Sequence, residues 1–295
     1  MRIGFKTSPQ AVDWSVLDAT WALAGTLDVF DSGWLNDHLS DVRQSRHGPS
    51  YEPITLAAAL AHHVPGRDIG FAVLSNTFRH PAVLAKQATV LDAVTGGRLL
   101  LGLGAGWHVG EHETFGIPLP PIGERIDRLI SAVEVLKALF SPEAAAPPGV
   151  SRQDPFYPLV EATNEPPPVR PGGPPIYLGG QKPRGIALAA RRGDGWLLPG
   201  VNVGDVDYFS ARRDELLRAM QRVGRDPSGF AFVGQVAAGS SAADHRSAVE
   251  VARAMARAGA TEVIVALDPA SGPDGLAIAA REVAEPIREA VGGAA

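Results

Sequence analysis

Short apolar runs alternate with longer amphipathic stretches along almost the whole chain. Several of the apolar runs lack the in-and-out alternation of a half-exposed strand, which is typical of parallel strands covered on both faces. The pattern predicts eight strands, at residues 3–6, 27–35, 69–74, 99–103, 176–179, 195–198, 230–236 and 262–267.

The stretches between these runs carry apolar residues at helical spacing. One stripe consists of Ile126, Leu129, Ile130, Val133 and Leu136, all on one helical face. Strand and helix alternate about eight times, which requires a parallel sheet with right-handed crossovers. The order predicts an α/β fold, a closed (β/α)8 TIM barrel, with an open doubly wound sheet as the alternative.

One segment, 141–175, interrupts the alternation of predicted strands and helices. It is rich in proline, including residues 166–168, and has few periodic apolar residues. Long loops in compact domains are usually functional or mobile. We interpret it as an insertion after the fourth strand of a single domain spanning 1–295, and a disordered surface excursion is equally open for its first half.

Composition narrows the functional classes. The 295 residues are 45% hydrophobic and 20% charged, and none is cysteine, so disulfides, cysteine-ligated metals and thiol nucleophiles are excluded. The net charge is −5 without a dense Lys/Arg block, which predicts no nucleic-acid or membrane partner. The first residues lack a signal peptide and no apolar run suits a bilayer, so we expect a cytoplasmic location.

In a TIM barrel, active residues follow the carboxyl ends of the strands. After the second predicted strand come Asp37 and His38, a pair suited to proton donation near neutral pH. A histidine that merely caps a loop is the simpler alternative. Ser75 and Asn76 follow the third strand, where small polar residues allow a flat ring to approach, although turn chemistry also explains them.

The next two strand ends are rich in glycine. Residues 104–108, Gly-Ala-Gly-Trp-His, do not form a dinucleotide fingerprint, and they predict space for a large planar ligand or else a tight turn. Gly179, Gly180 and Gln181 precede Lys182 and Arg184. Bare backbone N–H groups beside cations favour a phosphate, with a glycine-rich turn and solvated cations as the alternative.

No metal site is predicted. His62 and His63 are adjacent in a predicted helix, which would point their rings apart. His108 and His112 are four residues apart, but the glutamate of a His-Glu-x-x-His motif is missing. A Gly-x-Ser-x-Gly nucleophile turn is also absent.

Taken in order, these pieces resemble the luciferase-like monooxygenase superfamily, and specifically its branch that uses the deazaflavin coenzyme F420. The resemblance extends from the first residue to about Trp196. The matching motifs are Phe30-Asp31-Ser32-Gly33-Trp34, Asp37-His38, His80-Pro81, Gly96-Gly97-Arg98, Gly102-Leu103-Gly104-Ala105-Gly106-Trp107, Phe115-Gly116, Gly123-Glu124-Arg125, Gly179-Gly180 and Asp194-Gly195-Trp196.

The resemblance implies a TIM barrel that uses coenzyme F420 for hydride transfer to or from a small organic substrate. His38 would face the reactive ring as proton donor or orienter. Ser75-Asn76 would form a bulge with a non-proline cis peptide behind the ring. The remaining implied cofactor contacts are Trp34, Asp37, Gly104, Ala105, Gly106, Trp107, His108, and, for the phosphate, Gly179, Gly180 and Gln181.

The substrate pocket is expected to be walled by Phe5, Lys6, Trp34, Phe78 and the insertion 141–175. This wall suggests an apolar or aromatic small molecule, whereas Lys6 could instead bind an anionic group. The family resemblance implies a homodimer, and a flavin or F420 reductase could serve as the electron source.

Three other functions stay open. The chain could be an FMN-dependent monooxygenase that receives reduced flavin from a partner reductase. It could be a non-catalytic barrel that binds a flavin or deazaflavin. It could also be an unrelated phosphate-binding isomerase or aldolase, for which Lys6 is the best-placed lysine.

Overall fold

Eight parallel strands close into a barrel in the computed structural model, which describes residues 1–42 and 49–292. Pairing of β3 (Asp68–Phe71) with β5 (Leu99–Gly104) closes the ring, and a short β4 (Leu74–Ser75) extends the third barrel strand. The barrel strands are β1 (Arg2–Thr7), β2 (Ser32–Leu35), β3 (Asp68–Phe71), β4 (Leu74–Ser75), β5 (Leu99–Gly104), β8 (Ile176–Leu178), β9 (Gly195–Leu197), β10 (Ala231–Ala237) and β11 (Glu262–Ala266).

Helices cover the outside of this ring. They are α1 (Trp14–Gly25), α2 (Pro53–Leu60), α3 (Pro81–Thr95), α4 (Val109–Phe115), α5 (Ile122–Leu139), α6 (Pro183–Arg192), α7 (Val206–Arg222), α8 (Ala242–Arg257), α9 (Gly272–Ala279) and α10 (Glu285–Gly292). Local sequence fixes several of their ends. Pro81 begins α3, and Gly96 ends it in the left-handed conformation with φ of 63°, which favours glycine.

The structure confirms the TIM barrel and all eight predicted strands. The second strand is shorter than predicted, because the chain before Ser32 forms a turn with the N–H of Phe30 bonded to the carbonyl of Leu27. The third is interrupted by a cis peptide bond between Ala72 and Val73. It therefore consists of β3 and β4.

The lower interior of the barrel is packed with side chains. Six buried residues meet there: Trp34, Leu100, Tyr177, Leu197, Val233 and Ile264. Gly70 leaves the room that the Trp34 indole occupies, since a Cβ atom there would overlap the ring. These side chains fill the lower interior of the barrel and leave no passage through it.

The proline-rich segment is an ordered insertion between the fourth and fifth barrel strands, as predicted. Its strands β6 (Val150–Arg152) and β7 (Leu159–Ala162) form an antiparallel hairpin. The side-chain amide of Asn164 donates to Thr89 of α3 at 3.0 Å. The first half of the segment also contacts the helical layer, where the Ser131 hydroxyl of α5 donates to Asp154 at 2.6 Å.

The prediction that the rings of His62 and His63 point apart is wrong. Their ring centroids lie 3.9 Å apart, because these residues belong to a 3-10 turn rather than to the α-helix before it. His63 contacts Asp18 at 2.8 Å, and no cluster of metal-ligating side chains occurs in the described residues. Across residues 1–42 and 49–292, no helix is long and apolar enough to cross a bilayer.

Candidate active site at the carboxyl-terminal rim

The predicted site segments meet at one end of the barrel, because all barrel strands run parallel and end there. The N–H of Asn76 donates to the carbonyl of Gly104 at 2.9 Å, and the N–H of Gly179 donates to that of Leu103 at 3.2 Å. His38 follows β2 at the same end. The rim is therefore continuous from His38 to the Gly179 turn.

His38 is held by a buried carboxylate from α4. Its Nδ1 lies 3.0 Å from Oε2 of Glu111, whose side chain is only 1% exposed. The other oxygen of Glu111 accepts from the backbone N–H groups of Leu39 and Ser40. Burial alone would raise the pKa of Glu111, but the hydrogen bonds from His38 and the backbone outweigh it and lower that pKa. A carboxylate at Nδ1 places the ring hydrogen there and leaves Nε2 for a ligand.

Asp37 does not reach the rim surface, which corrects its prediction as a cofactor contact. Its fully buried carboxylate pairs with Arg79 at 2.5 and 2.9 Å and accepts from the N–H of Ser75 at 2.8 Å. Arg79 also pairs with Glu52 at 2.6 Å. Burial opposes the charge on Arg79, yet the two carboxylates raise its pKa. Asp37 therefore fixes the loop after β2 against the loop after β4.

Two predicted wall residues are turned away from the site. The Trp34 indole is fully buried inside the barrel and donates to Ser32 at 2.8 Å and to Glu262 at 3.0 Å. It forms the floor of the site from below and cannot touch a ligand at the rim. Phe5 points outward against Trp21 of α1, with ring centroids 5.1 Å apart.

The predicted bulge is present, but its cis bond is three residues earlier than expected, at Ala72–Val73 instead of at Ser75-Asn76. The Val73 side chain lies between two rim glycines. A Cβ atom on Gly104 would come within 2.8 Å of Val73, and one on Gly179 within 3.6 Å. Glycine at 104 is therefore required by the bulge.

Gly106 adopts a φ of 78° and lies against Ser75 and Thr77. A Cβ atom at this position would be 2.5 Å from the Thr77 hydroxyl and 2.8 Å from that of Ser75. Those hydroxyls lie 2.7 Å apart, and His112 Nε2 lies 2.7 Å from Thr77. This chain of hydrogen bonds joins the loop after β4 to α4 and fixes the path of residues 104–106.

Trp107 and His108 border the site on the side of α4. Trp107 is exposed and lies edge-on to the His38 ring, with centroids 5.9 Å apart. His108 is the N-cap of α4, and its Nδ1 accepts from the N–H of Glu111 at 3.0 Å. Trp107 thus offers an open face beside His38, whereas one nitrogen of His108 is committed to the helix.

Several residues of the predicted phosphate loop make contacts within the protein that account for part of its sequence. Gly180 packs on the backbone of Gly185 at the start of α6, and its carbonyl accepts from Trp196 at 2.8 Å. Arg184 is ion-paired with Asp127 and bonded to a carbonyl of α5, so it does not serve this loop. The Gln181 side chain accepts from Tyr208 at 3.3 Å.

Lys6 points into the upper barrel, where its ammonium donates to the side-chain oxygen of Gln235. Burial lowers the pKa of Lys6 to about 8. Phe78 stacks obliquely on His112, with centroids 4.9 Å apart. The predicted wall residues Lys6 and Phe78 are thus on the rim side of the barrel, unlike Phe5.

A cavity of about 500 Å³ opens at the opposite end of the barrel and is lined by Arg2, Asp28, Phe30, Asp31, Pro65, Gly66, Arg67 and Asp68. Its charges are paired with each other, as in the 2.5 Å contact between Arg2 and Asp68. TIM-barrel chemistry is found at the carboxyl-terminal face. We assign no function to this cavity.

Sequence reasoning missed Glu111, Arg79, Asn36 and Gln235. Gln235 carried a usable signal, because it is a polar residue inside an apolar strand. Glu111 follows the N-cap of α4 by three residues, a position where an acid is explained by the helix alone. Its contact is with His38, 73 residues away, and the sequence around Glu111 does not indicate that partner.

Comparison with protein families gives one extensive match. The family described as luciferase-like monooxygenase matches residues 28–285. The phthiodiolone/phenolphthiodiolone dimycocerosates ketoreductase of Mycobacterium tuberculosis is 30% identical, over 69% of this chain and 56% of that protein.

The names of two further curated relatives include the cofactor F420. The F420-dependent hydroxymycolic acid dehydrogenase of Mycobacterium tuberculosis is 31% identical, over 72% of this chain and 57% of its own. The F420-dependent glucose-6-phosphate dehydrogenase of Kribbella flavida is 32% identical, over 67% and 57%. The chain thus spans little more than half the length of the curated relatives it matches.

Solved structures share the fold. An F420-dependent secondary alcohol dehydrogenase in complex with an F420-acetone adduct has a TM-score of 0.76 at 16% identity, over 97% of this chain and 99% of that one. A long-chain alkane monooxygenase has a TM-score of 0.78 at 16% identity, over 98% and 91%. At such identities the likeness supports the barrel alone.

Proposed function

Because the chain belongs to the luciferase-like monooxygenase family, we propose that it is an oxidoreductase that uses coenzyme F420 for hydride transfer to or from a small organic molecule. Two curated relatives above 30% identity are named as F420-dependent dehydrogenases, and a third as a ketoreductase. The observation that carries the proposal is His38, fixed by buried Glu111 beside an exposed aromatic face and bare glycine backbone.

The rim has the features that a flat tricyclic ring requires. Glycine at 104 and 106 keeps the loop after β5 free of side chains. Within the described residues, the buried Oδ1 of Asn36 has no hydrogen-bond partner, so this rim retains an unused polar group. Gly179, Gly180 and Gln181, beside exposed Lys182, would hold the phosphate of the cofactor tail.

When bound, coenzyme F420 carries a hydride at the ring carbon that replaces the flavin N5. His38 moves the matching proton: its Nε2 accepts one from an alcohol or donates one to the oxygen of a carbonyl compound. Glu111 stabilises the imidazolium form that arises during this transfer. Arg79 and Asp37 hold the loops on either side in register, and Trp107 shields the reacting pair from water.

The relatives point to alcohols and carbonyl compounds as the substrate class. A partner enzyme that reduces or oxidises F420 would regenerate the cofactor, and we include a homodimer in the proposal. Sedimentation of the purified chain checks the dimer. A non-enzymatic barrel would have no need for the buried carboxylate at His38.

The proposal is tested with reduced F420 and a panel of ketones and aldehydes without oxygen. We expect carbonyl-dependent oxidation of the cofactor, and we expect His38→Ala to lower turnover by about 100-fold or more while F420 still binds. Oxidation of reduced FMN that requires dioxygen, with no F420 activity, would favour the monooxygenase instead.

A further inference from the structure

Lys6 is a half-buried cation without a counter-ion among the described residues. Its ammonium donates to Gln235, and no carboxylate of the described residues contributes to the shift of its pKa. The undescribed segment 43–48 contains no Asp or Glu, so it cannot supply one either. An ammonium has three N–H groups, and within the described residues one of them is bonded to the protein.

The partner of Lys6 is itself anchored. The side-chain amide of Gln235 donates to the carbonyl of Leu198 at the end of β9 and turns its oxygen toward Lys6. The hydrogen bond from Lys6 of β1 to Gln235 of β10 therefore passes over β11, which lies between these two strands. Positioning by a neutral amide leaves the positive charge of Lys6 uncompensated.

The Lys6 side chain is partly exposed, and the packed side chains around Trp34 close the barrel below it. In register with Lys6 on the neighbouring strands are Ala266, a small residue, and Trp34, whose indole packs downward. Asn36 follows β2 directly at the same rim, and its buried Oδ1 has no hydrogen-bond partner among the described residues. An amide can accept from a hydroxyl or, after a half-turn, donate to an anionic oxygen.

We propose that Lys6, together with Asn36, binds an anionic oxygen group of the substrate, a carboxylate or a phosphate, inside the barrel mouth. This inference rests on the proposed function only in calling the bound molecule the substrate. Lys6 anchors the molecule from within, and His38 acts on its reacting oxygen from the rim. The site is separate from the Gly179-Gly180 loop and its Lys182, so it does not duplicate the cofactor phosphate contact.

The test is calorimetric titration of the cofactor-free protein at pH 7 with acetate and, separately, with inorganic phosphate. The wild type is expected to bind at least one of them, and the tighter one identifies the group. We expect Lys6→Met to weaken that binding by at least about tenfold. Asn36→Asp, which adds a negative charge at the site, is expected to weaken it similarly.

Lys86→Met is the matched control, because it removes an exposed lysine of α3 that lies outside both proposed anion sites and donates to the carbonyl of Glu165. It is expected to leave anion binding at the barrel mouth unchanged. Equal anion affinity in the wild type and Lys6→Met, or no binding by the wild type, would overturn the inference.

F420 titration of the same samples separates the two claims. Cofactor binding without anion binding leaves the proposed function standing and removes the role of Lys6. Anion binding without cofactor binding supports the anion site at Lys6 and contradicts the proposed F420-dependent function.

Discussion

Glu111 of α4 holds His38 of the loop after β2 through a 3.0 Å contact with its Nδ1. The two residues belong to different βα units, and the same carboxylate accepts from two backbone N–H groups next to His38. One buried acid thus fixes both the ring and the loop that carries it. The orientation of the proposed proton donor depends on this contact.

Replacing Glu111 by Gln keeps the shape of the side chain and removes its charge. We expect kcat to fall by about tenfold or more, because the imidazolium loses its stabilising carboxylate, while the affinity for F420 stays within a factor of about two. Steady-state kinetics and a cofactor titration measure the two quantities. Glu113→Gln, an exposed acid on the same helix, is the control and should change neither.

The same carboxylate also contributes to acid stability. Because the pKa of Glu111 is lowered in the fold, its stabilisation is present above its ordinary pKa of about 4.5 and is lost as the pH falls below that value. Urea unfolding at pH 7 and pH 3.5 should show a larger difference between wild type and Glu111→Gln at pH 7. An equal difference at both pH values would contradict the lowered pKa of the buried Glu111 carboxylate.

Arg79 joins Asp37 and Glu52 in a buried network. Replacing it by Met leaves a fully buried carboxylate unpaired, and we expect the free energy of unfolding to fall by about 3–5 kcal/mol. Arg253→Met removes an exposed pair with Glu250, and we expect it to cost less than about 1 kcal/mol. Similar losses for the two variants in denaturant unfolding would refute the structural role of Asp37.

Gly106 is required both by its φ of 78° and by the hydroxyls of Ser75 and Thr77 beside it. Gly106→Ala is expected to cost about 1–3 kcal/mol of stability and to weaken F420 binding. Gly123, near the start of α5, has no atom within 4 Å of a Cβ position, so Gly123→Ala should be neutral or stabilise by up to about 1 kcal/mol. Thermal unfolding of both variants makes the comparison.

Lys6 destabilises the folded chain while it is charged, because burial lowers its pKa from 10.5 to about 8. Lys6→Met should therefore raise the free energy of unfolding at pH 7, by about 3 kcal/mol at most. Between pH 8 and 10.5 the folded protein loses the proton that the unfolded chain keeps, so the advantage of the variant shrinks. An advantage that does not change with pH would mean that the ammonium is solvated.

The strands could be predicted because their signal is local: each is a short apolar run between helical stripes. The direction in which individual side chains point could not be predicted from the sequence. Phe5 and Trp34 lie on strands with both faces buried, so polarity does not reveal which face is the barrel interior. Both were expected in the site, whereas one packs against α1 and the other fills the floor.

Long-range polar pairs were equally hidden. The position of Asp37 beside His38 in the sequence favours a ligand contact, but its partner Arg79 is 42 residues away. An acid next to a catalytic candidate has the same sequence signature whether it faces a ligand or a buried arginine. Only the fold brings the two together.

The most direct measurement of the central claim is an equilibrium titration of the purified chain with coenzyme F420 and with FMN. We predict saturable binding of one F420 per chain, at least about tenfold tighter than FMN, and weaker binding in Gly106→Ala. Tighter binding of FMN, or binding of neither cofactor by the folded protein, would contradict the account.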